Sequence, residues 1–148
     1  MSVIYKGFVA GFVATVVLSA LMVMKSMMGL MPGLDVTAMI TNMLGLQSVA
    51  FGWLMHFIIG TMIWGGAYAL IRARLPGGPA VSGMVFGAGA WLMMMILVMP
   101  MAGAGLFGLN MGIMAPVMTL ILHLVYGAVL GLVFQAMAQG TNSTAAAH

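Results

Sequence analysis

Four stretches of this chain, at about 5–30, 49–71, 80–100 and 113–137, are continuously apolar and contain no acidic residue. Crossing the hydrocarbon core of a bilayer takes about 20 mainly apolar residues rising about 1.5 Å each, so every one of the four is long enough to span. A transmembrane β-barrel alternates apolar and polar residues along its strands, and these stretches do not. Between them lie residues that end helices: Met31-Pro32-Gly33 after the first, Pro76-Gly77-Gly78-Pro79 after the second, and the glycines from Gly103 to Gly108 after the third. The expected fold is all-α, a polytopic membrane protein of four transmembrane helices arranged as two pseudo-repeated helical hairpins. It should form a single domain over 1–138, followed by a polar tail at 139–148.

The charges are too few to cover a soluble surface. Lys6, Lys25, Arg72, Arg74 and Asp35 are the whole inventory, 3% of 148 residues, against about 25% in an ordinary soluble domain. Four dispersed cations make no nucleic-acid footprint, which needs clustered basic side chains, so the partner is the lipid bilayer and no nucleic acid is expected. The cations report orientation instead. Lys6 precedes the first span, and Arg72 and Arg74 sit in the short loop after the second, all on one side. The positive-inside rule assigns that side to the cytoplasm, giving a multi-pass protein of a bacterial inner membrane with both termini cytoplasmic. Lys25, about 28 Å along the helix from Lys6, should reach the opposite interface, its charge offset by Asp35. The apolar run after Lys6 has a signal-peptide flavour, but its length reads as a retained first helix.

The first outer loop should hold a short interfacial helix near 35–45. Asp35 can cap it, and Val36, Met39, Ile40, Met43 and Leu44 follow helical spacing. Thr37, Thr41 and Asn42 are then expected to face water, and Gly45 to end the helix.

The two halves of the chain resemble each other. Gly7-x-x-x-Gly11 recurs as Gly83-x-x-x-Gly87, the segment Gly29 to Asp35 recurs one residue shorter as Gly105 to Asn110, and His56-x-x-x-Gly60 recurs as His123-x-x-x-Gly127. Each half starts on the same side of the membrane, which implies parallel copies about an axis along the membrane normal. Small residues at four-residue spacing let membrane helices approach closely, which marks Gly7, Gly11, Gly60, Gly83, Gly87, Gly127 and Gly131 as packing positions. Gly7, Gly11, Thr15 and Ser19 make one such stripe, Gly52, His56 and Gly60 another.

Gly7 to Gly11, Met24-Lys25-Ser26-Met27-Met28-Gly29, the stretch from Met99-Pro100 to Gly108, and Met114-Ala115-Pro116-Val117-Met118 with His123 and Gly127 together resemble a family of small, four-helix, functionally uncharacterised bacterial membrane proteins. The resemblance covers most of the chain. It implies the architecture and no activity.

Chemistry is sparse. Cysteine is absent, excluding disulfides and thiolate sites. Asp35 is the lone carboxylate, so paired-carboxylate catalysis is excluded, and no phosphate loop or nucleophile triad is present. An enzyme is not expected. His56 and His123, placed at similar depth in the outer half, are the candidate cofactor or metal ligands, because an imidazole inside a bundle needs a partner. Two facing imidazoles suit axial ligation of haem b or half of a copper site, while hydrogen bonding to backbone, Ser or Thr is the plainer role. Methionine pairs at helical spacing (Met24/Met28, Met27/Met31, Met95/Met99, Met114/Met118) would suit Cu(I), but Met is also a flexible apolar filler. Trp53, Tyr5, Tyr68 and Tyr126 read as interfacial anchors, with Trp64 and Trp91 deeper, filling space beside Gly60 and Gly87. The reading that follows is a non-enzymatic protein acting through helix packing, as an accessory or assembly subunit of a larger membrane complex or as a homo-oligomer. The alternatives are a bis-histidine haem b or copper protein and a small-solute channel or carrier.

Overall fold

The computed structural model describes residues 2–145, with side chains for 2–139. Helix α1 (Val3–Met27) is opened by Ser2, whose hydroxyl accepts the Tyr5 amide and satisfies one of the donors a helix start leaves free. After a loop comes α2 (Val36–Met43), then α3 (Val49–Arg74), α4 (Pro79–Met101) and α5 (Met114–Ala145). Pro79 and Pro116 fall in the first turns of their helices, where a missing N–H costs nothing. Four segments, Val3–Met27, Val49–Arg74, Pro79–Met101 and Met114–Gln139, are long and apolar enough to cross a membrane. The fourth helix runs on to Ala145, so the stretch read as a tail from 139 begins as helix, while positions 146–148 lie outside the described residues.

Two of the spans are not plain α-helix. Met94–Val98 in α4 is a π-helical segment, and it ends two residues before Pro100, which has no N–H to give and crowds the carbonyl one turn back. Ile59–Trp64 in α3 is a second π-helical segment, with Gly60 inside it and Gly65 directly after it.

The helices meet through glycine. α1 crosses α3 where Gly7 and Gly11 lie against Gly65: a Cβ on Gly11 would stand 2.8 Å from the Gly60 carbonyl oxygen and 2.9 Å from Gly65 Cα. α4 crosses α5 where Gly83 abuts the Gly127 carbonyl, Gly127 abuts the Gly83 carbonyl, and Gly87 abuts the His123 carbonyl. Gly131 lies against the Pro79 carbonyl. Thr15 and Ser19 continue the buried face of α1, and α1 also packs along α5. α3 and α4 have no comparable backbone contact among the described residues. They are joined by side chains at the end that carries Lys6, Arg72 and Arg74, called here the basic end. Tyr68 shares a hydrogen bond of 3.0 Å with Ser82, and Tyr68 and Trp64 both set their rings edge-on to Phe86. That end holds one core, from Ala10, Ala14, Tyr68, Phe86, Tyr126, Leu130 and Phe134. A second, methionine-rich core at the opposite end gathers Leu34, Met95, Met99 and Ala104, with Met31, Met39, Met94, Met111 and Met118 around it.

The interfacial helix forms where expected, with Val36, Met39 and Ile40 packed inward and Asn42 exposed, but its threonines are turned inward as well. Asp35 caps it, accepting the Ala38 amide at 3.0 Å and the Thr37 hydroxyl at 2.8 Å. Thr37 and Thr41, read from sequence as water-facing, are buried, and Met43 and Leu44 are exposed. The Thr41 hydroxyl donates to the Thr37 carbonyl at 2.7 Å, so its polarity is satisfied locally and the slim threonine face can close on Gly52 of α3. Beside a bilayer, large apolar side chains lose nothing by facing outward. The interfacial assignment also fails for two aromatics, since Tyr68 and Tyr126 are buried and hydrogen-bonded inside the bundle. Tyr5 is exposed.

Burial opposes ionisation of Asp35, but the Ala38 and Thr37 amides, the Thr37 hydroxyl and the Lys25 charge outweigh it and hold the carboxyl below its ordinary value of 3.8. A lowered pKa makes the charged cap fully present above that value and loses it as pH falls through the lowered one. Hydrogen exchange at the Ala38 amide, corrected for its intrinsic rate, should therefore stay slow down to about pH 4 and accelerate only below it. In Asp35→Ala it should be fast throughout.

Candidate functional site

The glycine crossings hold the basic end shut and leave a cavity of about 260 Å³ between the spans toward the α2 end. Thr15, Leu18 and Met22 line it from α1, and His56, Ile59, Gly60 and Trp64 from α3. Ala90, Met93, Met94, Leu97 and Val98 line it from α4, and Thr119, Leu122, His123 and Tyr126 from α5. Leu34, Val36 and Ile40 close the end, with Lys25 at the rim. Lys25 does not stand free there, because its ammonium donates to the Met31 and Leu34 carbonyls at 3.0 and 2.7 Å. Both π-helical segments contribute to the wall. Such one-turn distortions concentrate at functional sites because they re-aim side chains without ending the helix.

Both candidate histidines face this one space, in different states. His123 Nδ1 lies 2.8 Å from the Thr119 carbonyl. A carbonyl only accepts, so Nδ1 carries the hydrogen and, in the neutral ring, Nε2 is a bare lone pair. His56 is 9% exposed, and its Nε2 is buried with no hydrogen-bond partner. Trp53 and Phe57 meet its ring edge-on, with centroids 5.9 and 6.0 Å away. An unpaired buried polar atom costs about 1–3 kcal/mol, a cost that a bound group would remove.

The similar depth inferred for the two histidines does not match the packing. Gly127 is to the α4–α5 crossing what Gly65 is to the α1–α3 crossing. His123 precedes Gly127 by four positions, whereas His56 precedes Gly65 by nine, with the π segment between. In the packing frame His123 therefore corresponds to Thr61, and His56 sits more than a turn farther toward α2. Sequence comparison paired Gly60 with Gly127 because both follow a histidine by four. The adjacent Gly65 and Gly66 were the overlooked signal.

The remaining polar groups form a network around Tyr126 and Thr119. The Tyr126 hydroxyl donates to the Gly60 carbonyl at 2.6 Å, which also receives the Gly65 amide at the close of the π segment. The Thr15 hydroxyl donates to the Gly11 carbonyl, and Thr119 to that of Ala115, each at 2.7 Å. Trp91 Nε1 donates to the Pro116 carbonyl and the Thr119 hydroxyl, so this tryptophan ties α4 to α5 and is more than filler. Phe replacing Tyr126 should cost about 1 kcal/mol, read as a melting shift of a few degrees.

Of the expected methionine pairs, Met95/Met99 is buried in the second core, while Met24, Met27, Met28 and Met114 are exposed. No group of three or more His or Asp residues gathers among the described residues. A copper ion would draw on His56 and His123 with thioethers from Met22 or Met94. A haem fits poorly: typical small-molecule pockets span about 300–1,000 Å³, a haem belongs in the upper part of that range, and Lys25 is already committed to two carbonyls.

Compared with known proteins, residues 1–145 match the model of a family of unknown function. No curated protein and no solved structure matches the chain.

Proposed function

The chain belongs to DUF6789, a family of unknown function, so its role has to be argued from its own residues, and we propose that it is a non-enzymatic intramembrane binding protein for a small, mainly apolar molecule. The observation that carries this reading is the cavity itself, apolar apart from a few fixed polar groups, with His56 Nε2 buried and unpaired on its wall. Access would be lateral, from the bilayer, between α3 and α4. Their backbones stay apart, and Met93 and Leu97 are both exposed and part of the cavity wall. The Tyr68–Phe86 contact bounds this window at the basic end, and Leu34 and Met39 bound it at the other.

On this reading the basic end is cytoplasmic by the positive-inside rule, the cavity lies in the outer half of the membrane, and both termini are cytoplasmic. The two glycine crossings support a chain built as two related hairpins. Assembly with a larger complex draws its support from small-residue faces, and the chain's own helices occupy those at Gly7, Gly11, Gly83, Gly87, Gly127 and Gly131.

The test is to extract protein purified in lipid nanodiscs and weigh what it carries, with a visible spectrum and metal analysis alongside. A co-purifying small molecule, or saturable uptake of an apolar probe that quenches tryptophan, is the expected result. Protein that carries nothing and binds no probe saturably would sink the proposal. A Soret band with stoichiometric iron would replace it with the haem reading.

A further inference from the structure

The polar groups of the cavity restrict the chemistry of what binds there, an inference that rests on the binding role just proposed. On the α1 and α5 walls the threonine, tyrosine and imidazole hydrogens are already used, and the Lys25 ammonium at the rim gives two of its three to carbonyls. Thr15 gives its hydrogen to Gly11, Thr119 to Ala115, and Tyr126 to Gly60, while His123 Nδ1 gives its own to the Thr119 carbonyl. What His123 keeps for the cavity is an acceptor, the Nε2 lone pair. Across the space, His56 Nε2 is buried and unanswered, and whichever ring nitrogen carries its hydrogen, Nε2 needs a complementary group.

We propose that the cavity takes an apolar alcohol or phenol from the bilayer, its hydroxyl donating to Nε2 of His123. A hydroxyl is the smallest uncharged group that both donates and accepts, so its oxygen, or a second hydroxyl, can also answer His56. A ketone or ester carbonyl has no hydrogen to give and would leave His123 unpaired. An ammonium would bring a charge into the membrane with no carboxylate among the lining residues to meet it. A lipid phosphate would want cations, and Lys25 already donates to two carbonyls. A lone copper ion could use both imidazoles but would leave most of a 260 Å³ apolar space empty.

The decisive comparison needs no variant. The full-length protein in nanodiscs is titrated with para-butylphenol and with its methyl ether, nearly the same shape without the donor, following tryptophan fluorescence and heat. The phenol should bind saturably and about tenfold more tightly than the ether, one hydrogen bond's worth of free energy. His123→Phe should erase the preference, and His123→Gln, which restores an acceptor, should recover part of it. Equal, saturable binding of both probes would overturn the hydroxyl assignment and leave the binding role standing. Saturable binding of neither would overturn both. A preference that survives in a folded His123→Phe protein would show that the hydroxyl sits elsewhere, and stoichiometric copper that blocks the phenol would overturn the assignment in favour of a metal.

Discussion

Alanine at Gly83 should lower the melting temperature of the detergent-solubilised protein by several degrees, while alanine at Gly89, less than two turns along the same helix, should leave it unchanged or raise it. A Cβ on Gly83 runs into the Gly127 carbonyl and comes within 3.1 Å of the Gly131 amide nitrogen. All of these obstacles are backbone, so no side chain can swing aside and α4 and α5 must separate. Overpacking of this kind costs about 1–3 kcal/mol, and for a chain of this size each kcal/mol is worth about 2–4 °C. A Cβ on Gly89 meets nothing within 4 Å, and there alanine gains the helix-propensity difference of about 0.8–1 kcal/mol. Fluorescence-detected size exclusion after a heating series would measure both. Gly127→Ala should resemble Gly83→Ala, and the double variant should cost less than the two added together, because helices already forced apart have room for the second methyl group. Equal melting of Gly83→Ala and Gly89→Ala would mean that the crossing is not the tight contact described.

What the residues reveal before folding follows from which forces distinguish one environment from another. Length and apolarity located the four spans to within a few residues, because a bilayer admits little else. Asp35 was legible as a cap because its side chain answers an amide three residues away. The orientation of α2 was only partly legible: Val36, Met39 and Ile40 pack inward, but Met43 and Leu44 of the same pattern face out, because beside lipid an apolar side chain does not have to be an inward one. In α2 the threonines were the better guide to the packed side, as glycine was in the spans. That rule also locates Gly52, which meets α2 and not a second span.

The candidate site was half legible. His56 and His123 stood out as polar atoms where polarity is costly, and the structure places both on one cavity. Their relative depth was misjudged because the repeated His-x-x-x-Gly spacing paired Gly60 with Gly127, whereas the glycine that takes the place of Gly127 at the α1–α3 crossing is Gly65. The parts of Thr119, Tyr126 and Trp91 in the wall network are tertiary, joining residues as far apart as Tyr126 and Gly60, and no local pattern announces them. The cavity itself arises from a non-contact, the separation of α3 and α4 toward α2, which sequence periodicity does not encode.

Filling that space should separate stability from binding. Ala90 is 4% exposed and lines the cavity, so Ala90→Leu places three carbons in a void instead of against a neighbour. Cavity-filling changes commonly gain about 0.5–2 kcal/mol, and a rise in melting temperature is expected here, together with loss of saturable probe binding. Ala10, fully buried in the core at the basic end, supplies the control, since Ala10→Leu has no space to enter and should destabilise by about 1–3 kcal/mol. Opposite signs for the same substitution on two buried alanines would establish that the void is real, and the accompanying loss of binding that it is used. If Ala90→Leu melts early, as Ala10→Leu should, the helices close over that space and the binding proposal loses its ground. If it melts late and still binds the probe, the molecule sits elsewhere on the bundle. A sequence that leaves about 260 Å³ unfilled, with His56 unpaired on its wall, forgoes stability that one larger side chain would restore, and occupancy by a ligand is the physical reason proposed for keeping it open.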